Sequence, residues 1–152
     1  MGQQQLLLLV LGIVIVGLAV VVGIQAFAEN KVQANLDSLV VDGVRIAADV
    51  QAWSLKPSTF GGPGTGEDWT DATFQRLGYP PPVDATGTCT TGSYLTENGC
   101  YAIADGVIQG VGFDGVAVNN NRVRVDVTGQ RPESIRTQTA TDGVAPDAPS
   151  GT

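Results

Sequence analysis

The stretch LLLLVLGIVIVGLAVVVGI, residues 6–24, decides how this chain is read. It holds nineteen consecutive residues drawn only from Leu, Val, Ile, Gly and Ala, fifteen of them Leu, Ile or Val. As an α-helix at ~1.5 Å per residue it spans roughly 28 Å, close to the hydrocarbon thickness of a bilayer. Each Leu, Ile or Val contributes about −0.3 to −0.6 kcal/mol on the membrane-insertion scale, enough to outweigh Gly12, Gly17 and Gly23. Membrane insertion is the expected fate. An ordinary secretory signal has a basic start, an apolar run of ~7–15 residues and a small-residue cleavage site. Here residues 1–5 read MGQQQ, without Lys or Arg, and the apolar run is longer. The expectation is a retained anchor, with Met1 the first residue of a processed chain whose basic leader has been removed.

Working outward, the first charged side chain is Glu29, so the 8 Lys plus Arg and 15 Asp plus Glu of this 152-residue chain all lie beyond the apolar run. A net charge of −7 disfavours a nonspecific nucleic-acid binder. Histidine is absent, which removes imidazole from acid/base work and from metal ligation. An enzyme reading finds no nucleophile–base pair in the sequence, and no cofactor is expected. The length leaves room for one modest domain after the anchor.

No Pro or turn cluster intervenes between Ile24 and Lys56-Pro57, so one helix is expected from near the N-terminus to about Trp53, roughly 80 Å long. At about 100° per residue from Val32, the residues Leu36, Leu39, Val40, Gly43, Ile46, Ala47, Val50 and Trp53 fall on one stripe. Leu36, Leu39, Ile46, Val50 and Trp53 are the candidates for packing on a sheet. Asp37, Asp42, Arg45 and Asp49 face elsewhere, with Arg45 spaced to meet Asp42 and Asp49. The first half is apolar all round and needs covering by lipid or by other copies of itself. Within it Gly12, Ala19, Gly23 and Ala26 share a narrow stripe, with Leu18 beside it, suited to close helix–helix approach. Glycine is also common in membrane helices and loosens a helix by ~1 kcal/mol relative to alanine, so the stripe has two other readings.

Beyond the helix, Gly61 to Gly66 and Pro80-Pro81-Pro82 mark a long connection with one short helix expected around Thr70 to Leu77. Strands are expected at Tyr101 to Ala104 and Val107 to Phe113. A hairpin is expected from Val116 to Val118 and Arg122 to Val127 about a turn at Asn119-Asn120-Asn121, since Val123, Val125 and Val127 alternate with Arg122, Arg124 and Asp126. An antiparallel sheet laid on the amphipathic helix buries both apolar faces. The Thr-, Pro- and Gly-rich tail reads as irregular. Cys89 and Cys100 enclose turn signals, and with export implied by the anchor a disulfide is the first reading; a loop of this size contributes ~3 kcal/mol in the chain-entropy account.

A helix apolar in its first half and amphipathic in its second, then a loop, an antiparallel sheet and a C-terminal cysteine pair, resembles a mature type IV pilin. The resemblance covers the whole architecture, with its specific signal in residues 1 to about 53. It implies an α+β fold divided into an apolar helix at 1–28 and a head at 29–152. The head then comprises an amphipathic helix at 29–54, a loop region at 55–100, a sheet at 101–128 and an irregular tail at 129–152. It implies a plasma-membrane anchor that becomes the core of an extracellular filament on the cell surface, serving attachment or motility. The implied partners are other copies of the chain, the lipid bilayer before assembly, a prepilin peptidase and an inner-membrane assembly machinery. Met1 fits the methylated first residue of such proteins, with cleavage after Gly2 the competing choice. Many pilins carry glutamate as the fifth residue, paired with a neighbour's N-terminal amine; Gln5 stands here. Gln3, Gln4 and Gln5 can still dock that amine by hydrogen bonds, without neutralising it. The usual proline in the apolar helix is missing too. These departures suggest a divergent bacterial or archaeal-like branch, or a minor or pseudopilin of a secretion system. The rival from another class is a single-pass membrane protein displaying a small extracellular binding domain.

Four other patterns carry weaker chemistry. Gly110 to Gly115 has dinucleotide-loop spacing but leads into Val-rich sequence rather than a helix, and Gly61 to Gly66 lacks the Lys-Ser/Thr of a phosphate loop. Glu67, Asp68 and Asp71 lack calcium-loop spacing. Arg122, Arg124, Arg131 and Arg136 form the basic concentration, which repetition along a filament could turn into a groove for DNA; an exposed strand face is the simpler reading.

Overall fold

With neither charge nor proline to interrupt it, the opening segment forms a helix that continues as α1, Gly2–Ser54, in the computed structural model. The structure describes residues 2–64, 68–80, 89, 93–114, 117–144 and 146. Met1 lies outside them. Two units divide the chain, Met1–Gln33 and Ala34–Thr152.

The first unit is helix alone, and its side chains from Leu6 to Val22 are exposed. In the second unit α1 turns the expected stripe inward: Leu36, Leu39, Gly43, Ile46, Ala47, Val50 and Trp53 are buried. Leu39, Ile46, Val50 and Trp53 join Tyr101, Ile108, Val123, Val125 and Val127 in one apolar cluster, so the helix packs on the sheet as an α+β head. Each large side chain so buried contributes about 1.5–3 kcal/mol. Gly43 sits where a Cβ would come within 3.0 Å of Val125 Cγ2, which is why the helix carries glycine at its approach to the sheet.

The helix ends at Ser54, just ahead of Lys56-Pro57, where proline cannot donate a helical bond. The chain folds back through a 3-10 turn, Ser58–Phe60, and the Trp53 indole donates to Gly61 O at 2.9 Å, closing this turn over the end of the core. A short helix α2, Phe74–Leu77, falls within the expected window; Thr73 caps its start and Gly78, at φ 86°, its end.

Five antiparallel strands follow in simple order: β1 Tyr94–Leu95, β2 Gly99–Ala104, β3 Val107–Asp114, β4 Ala117–Val127 and β5 Ile135–Ala140. Asp105 and Gly106 form the two-residue turn from β2 to β3 with φ of 50° and 76°, the positive pair that matches the twist of a hairpin. Gly110 leaves space for an aromatic ring: a Cβ there would lie 2.7 Å from Tyr101 Cε1 and 2.6 Å from Val123 Cγ1.

The structure corrects three boundaries. The sheet begins at Tyr94, within the stretch expected to be loop. Asn119 to Asn121 lie inside β4 rather than at a turn, because β4 pairs with β3 across Asp114 and Ala117. The tail is not irregular throughout, since Ile135–Ala140 pairs with β4 in register from Arg122↔Ala140 to Val127↔Ile135. Main-chain pairing with an established strand outweighs the weak side-chain signal of such segments.

Candidate functional site

From Leu6 to Ile24 every Leu, Ile and Val is between 50% and 68% exposed. Lacking a polar face to turn outward, this helix cannot hide its own surface. The segment is long and apolar enough to cross a membrane by length and composition. Gly12, Ala19, Gly23 and Ala26 are separated by 7, 4 and 3 residues and so share a helix face. A Cβ added at Gly12, Gly17 or Gly23 would meet nothing within 4 Å, so this chain by itself gives no steric reason for glycine there. Gln3, Gln4 and Gln5 are exposed in the first turn, where backbone N–H groups have no helical acceptor. Leu18 is 64% exposed, and Ala19 and Ala26 are exposed with it.

The head places the remaining candidates differently. Cys89 and Cys100 are joined as a disulfide with Cα atoms 5.9 Å apart, and both residues are buried. The five helix–sheet candidates, Leu36, Leu39, Ile46, Val50 and Trp53, are all buried on one face of α1. Asp42 and Asp49 are engaged from the sheet side: Asn98 Nδ2 donates to Asp42 Oδ2 at 3.0 Å, and the Tyr79 hydroxyl donates to Asp49 Oδ2. Tyr101 Oη lies 3.4 Å from Asp42 Oδ2 and donates to it. Burial first, then the neighbouring Asp49 or Asp42 carboxylate, pushes both phenols well above their ordinary value.

Sequence reasoning missed a set of buried amides. Gln51 is buried and its Nε2 donates to Gly129 O at 2.8 Å, Arg131 O at 2.9 Å and Ser134 Oγ at 3.2 Å, pinning the β4–β5 connection to the helix. Asn35 Nδ2 donates to Asn98 O at 2.9 Å, and Asn121 Nδ2 donates to Asn35 Oδ1 at 3.2 Å. A buried amide has no periodic signature of its own; its one mark is a position beside the apolar stripe, as Gln51 sits beside Val50.

The weaker motifs resolve into structure. Gly110 lies within β3 rather than at a helix start. Gly62 packs against the end of the helix, where a Cβ would fall 2.0 Å from Lys56 O; Thr65, Gly66 and Glu67 lie outside the described residues. Asp68 accepts from the Thr70 hydroxyl and, at 3.1 Å, from its backbone N–H, and the hydroxyl bond chiefly holds its carboxyl below the ordinary value. Among the described residues no three of His, Cys, Asp and Glu gather to hold a metal ion. Arg124 pairs with Asp126 at 3.0 Å and Arg131 with Glu133 at 3.7 Å, and Arg136 lies opposite Asp126 in the sheet register. Arg122 and Arg136 lie on β4 and β5.

The chain matches no protein-family model, no curated protein and no solved structure.

Proposed function

We propose that this chain is a structural subunit of a type IV pilus-like extracellular filament, held in the membrane by residues 1–28 and polymerised through the same helix once extracted. The supporting observation is a chargeless first half of the helix, whose fifteen Leu, Ile and Val residues from Leu6 to Ile24 are all at least half exposed, attached to a head in which the stripe Leu36, Leu39, Ile46, Val50 and Trp53 is covered. In lipid such a helix has little reason to leave, so extraction needs work from assembly machinery acting after a prepilin peptidase. In water its surface demands a cover, and identical helices supply it. A heterologous contact between copies that does not close gives an open helical polymer, suited to surface attachment or motility. Gln3, Gln4 and Gln5 then offer hydrogen bonds to a neighbouring amine in place of the ion pair a glutamate would make. The role is mechanical and needs neither cofactor nor catalytic residue.

A single helix of crossing length also favours a second reading, an anchored protein that displays its head and never polymerises. Shearing filaments from cells and identifying their protein by mass spectrometry separates the two. The filament reading expects this chain as the main component. Recovery confined to detergent-extracted membranes favours the anchored reading, and recovery as a trace component favours a minor or pseudopilin.

A further inference from the structure

A cleft of about 230 Å³ opens where α1 passes the β1–β2 turn, wholly within the unit Ala34–Thr152. Sites for drug-sized ligands run to roughly 300–1,000 Å³, so this one suits a single small ring rather than an extended chain. Part of its wall is apolar. The Tyr79 and Tyr94 rings stand 4.7 Å apart at 62°, and Ile46 adds an aliphatic surface. Phe74, itself buried, touches both rings, at centroid distances of 5.6 Å and 5.5 Å. The rest of the lining is polar, with Asp42, Arg45, Glu97 and Asn98.

These polar groups are unequally committed. Asn98 Nδ2 and Tyr101 Oη both donate to Asp42 Oδ2, at 3.0 Å and 3.4 Å, and the Tyr79 hydroxyl donates to Asp49. Thr96 Oγ1 accepts from the backbone N–H groups of Asn98 and Gly99 at 3.3 Å and 3.2 Å, which fixes the turn. Arg45 and Glu97, by contrast, are exposed and make no ion pair among the described residues. Two opposite charges thus stand unengaged beside a held aromatic wall.

We propose that this cleft binds one neutral sugar ring, its C–H face against Tyr79 and Tyr94 and its hydroxyls on Glu97 and Arg45. Charge selects the class of ligand. An amine would suit Glu97 and Asp42 but meets Arg45, and a carboxylate or phosphate would suit Arg45 but meets the two acids. A hydroxyl donates one hydrogen and accepts on two lone pairs, so neighbouring hydroxyls give to a carboxylate and take from a guanidinium together. Both bonds are charge-assisted and therefore strong for their kind. Shape selects the ring: a pyranose carries aliphatic C–H groups on one face and hydroxyls around its edge, matching a cleft that is aromatic in one part and charged in another. Because Asn98, Tyr79 and the turn are already held, little ordering opposes binding. The site lies in the head and does not depend on polymerisation; many copies on one filament would raise a weak affinity by avidity.

Saturation-transfer NMR on the full chain, in a zwitterionic detergent without a sugar headgroup, tests the assignment. The probes are glucose, galactose, mannose and N-acetylglucosamine, with glucosamine and glucuronate as charged counterparts. At least one neutral sugar is expected to receive saturation, strongest on its ring C–H protons, and to bind more tightly than either charged one. Arg45→Ala combined with Glu97→Ala should weaken that binding about tenfold or more, since hydrogen bonds to charged groups carry that much. Both residues are exposed, so the urea midpoint should stay that of the native chain. Glu97→Gln, which keeps the shape and removes the charge, should weaken binding in the same direction, whereas Arg136→Ala, outside the cleft, should leave it unchanged. No transfer to any of the neutral sugars overturns the proposal, as does tighter binding of a charged one. Affinity untouched by the Arg45 and Glu97 changes, or lost with Arg136→Ala, overturns it too. A chain that binds sugar but forms no filaments overturns the filament reading alone.

Discussion

Leu39 and Leu18 stand in the same helix, yet the first is 0% exposed and the second 64%. Their glycine neighbours differ in the same way. A Cβ at Gly43 would meet Val125 at 3.0 Å, whereas one at Gly17 would meet nothing within 4 Å. In the head the sheet covers the helix stripe Leu39, Ile46, Val50 and Trp53, so residue choice along that stripe is explained by intramolecular packing. Between Leu6 and Ile24 the described chain supplies no cover for the same kind of side chain. One residue type therefore carries two meanings, set by where its contacts come from.

Substitutions can break this contrast or sharpen it. A charge at Val14 or Leu18, as in Leu18→Asp, costs about 2.5–3.5 kcal/mol in an apolar surrounding, whether lipid or neighbouring helices, or roughly a hundredfold in the amount of chain held there. Filament yield from cells is expected to collapse while the unfolding midpoint of the head stays fixed; a normal yield removes the apolar contact from the account. Trp53→Ala should act in the opposite sense on the two regions. It empties a buried site and deletes the bond to Gly61, costing about 3–5 kcal/mol in urea unfolding of the detergent-solubilised chain. Circular dichroism should still show the apolar helix when the head has unfolded. Opening the disulfide with Cys100→Ser should lower head stability by ~3 kcal/mol, and an unchanged urea midpoint would show that the bridge constrains nothing.

The glycine pair gives the finest discrimination. Gly43→Ala forces Val125 to move and should cost about 1–3 kcal/mol. Gly17→Ala should instead firm the helix by up to ~1 kcal/mol, so any loss of filaments there would locate the role of glycine between copies. The smallest effect is alkaline. Tyr79 and Tyr101 are both raised above the ordinary phenol value of 10.0, so the unfolded chain ionises first as pH rises. Their contribution is whole below pH 10 and is lost above it. Tyr79→Phe should flatten part of that decline in urea midpoints measured from pH 7 to 11, roughly the range over which a phenol changes charge.

Much of the head was legible because burial leaves a period behind. The row Leu36, Leu39, Ile46, Val50 and Trp53 follows helical spacing, and Val123, Val125 and Val127 alternate as a half-covered strand must. The apolar helix was legible from composition alone. What escaped lacked such a period. In β5, Ile135 is followed by Arg136, Thr137, Gln138 and Thr139, an edge strand with little to bury, and its surroundings of Gly and Pro drew the reading toward coil. Asn119 to Asn121 carry turn chemistry but lie within β4 opposite the register shift between Val111 and Phe113, flanked by the pairs Phe113↔Val118 and Val111↔Arg122, with Asn121 buried toward Asn35. Gln51 and Asn98 are defined by partners far along the chain, which spacing within a window does not reveal. The assembly candidates, from Gln3 to Ala26, are legible as surface that the described chain leaves exposed.

The sheet's two margins carry a consequence of their own. β1 is two residues long, and β5 shows Arg136, Thr137 and Thr139 as exposed side chains. A stub and a cationic, hydroxyl-rich border are both poor templates for adding a foreign strand. Heads brought side by side are thus guarded against fusing edge to edge into amyloid-like ribbons.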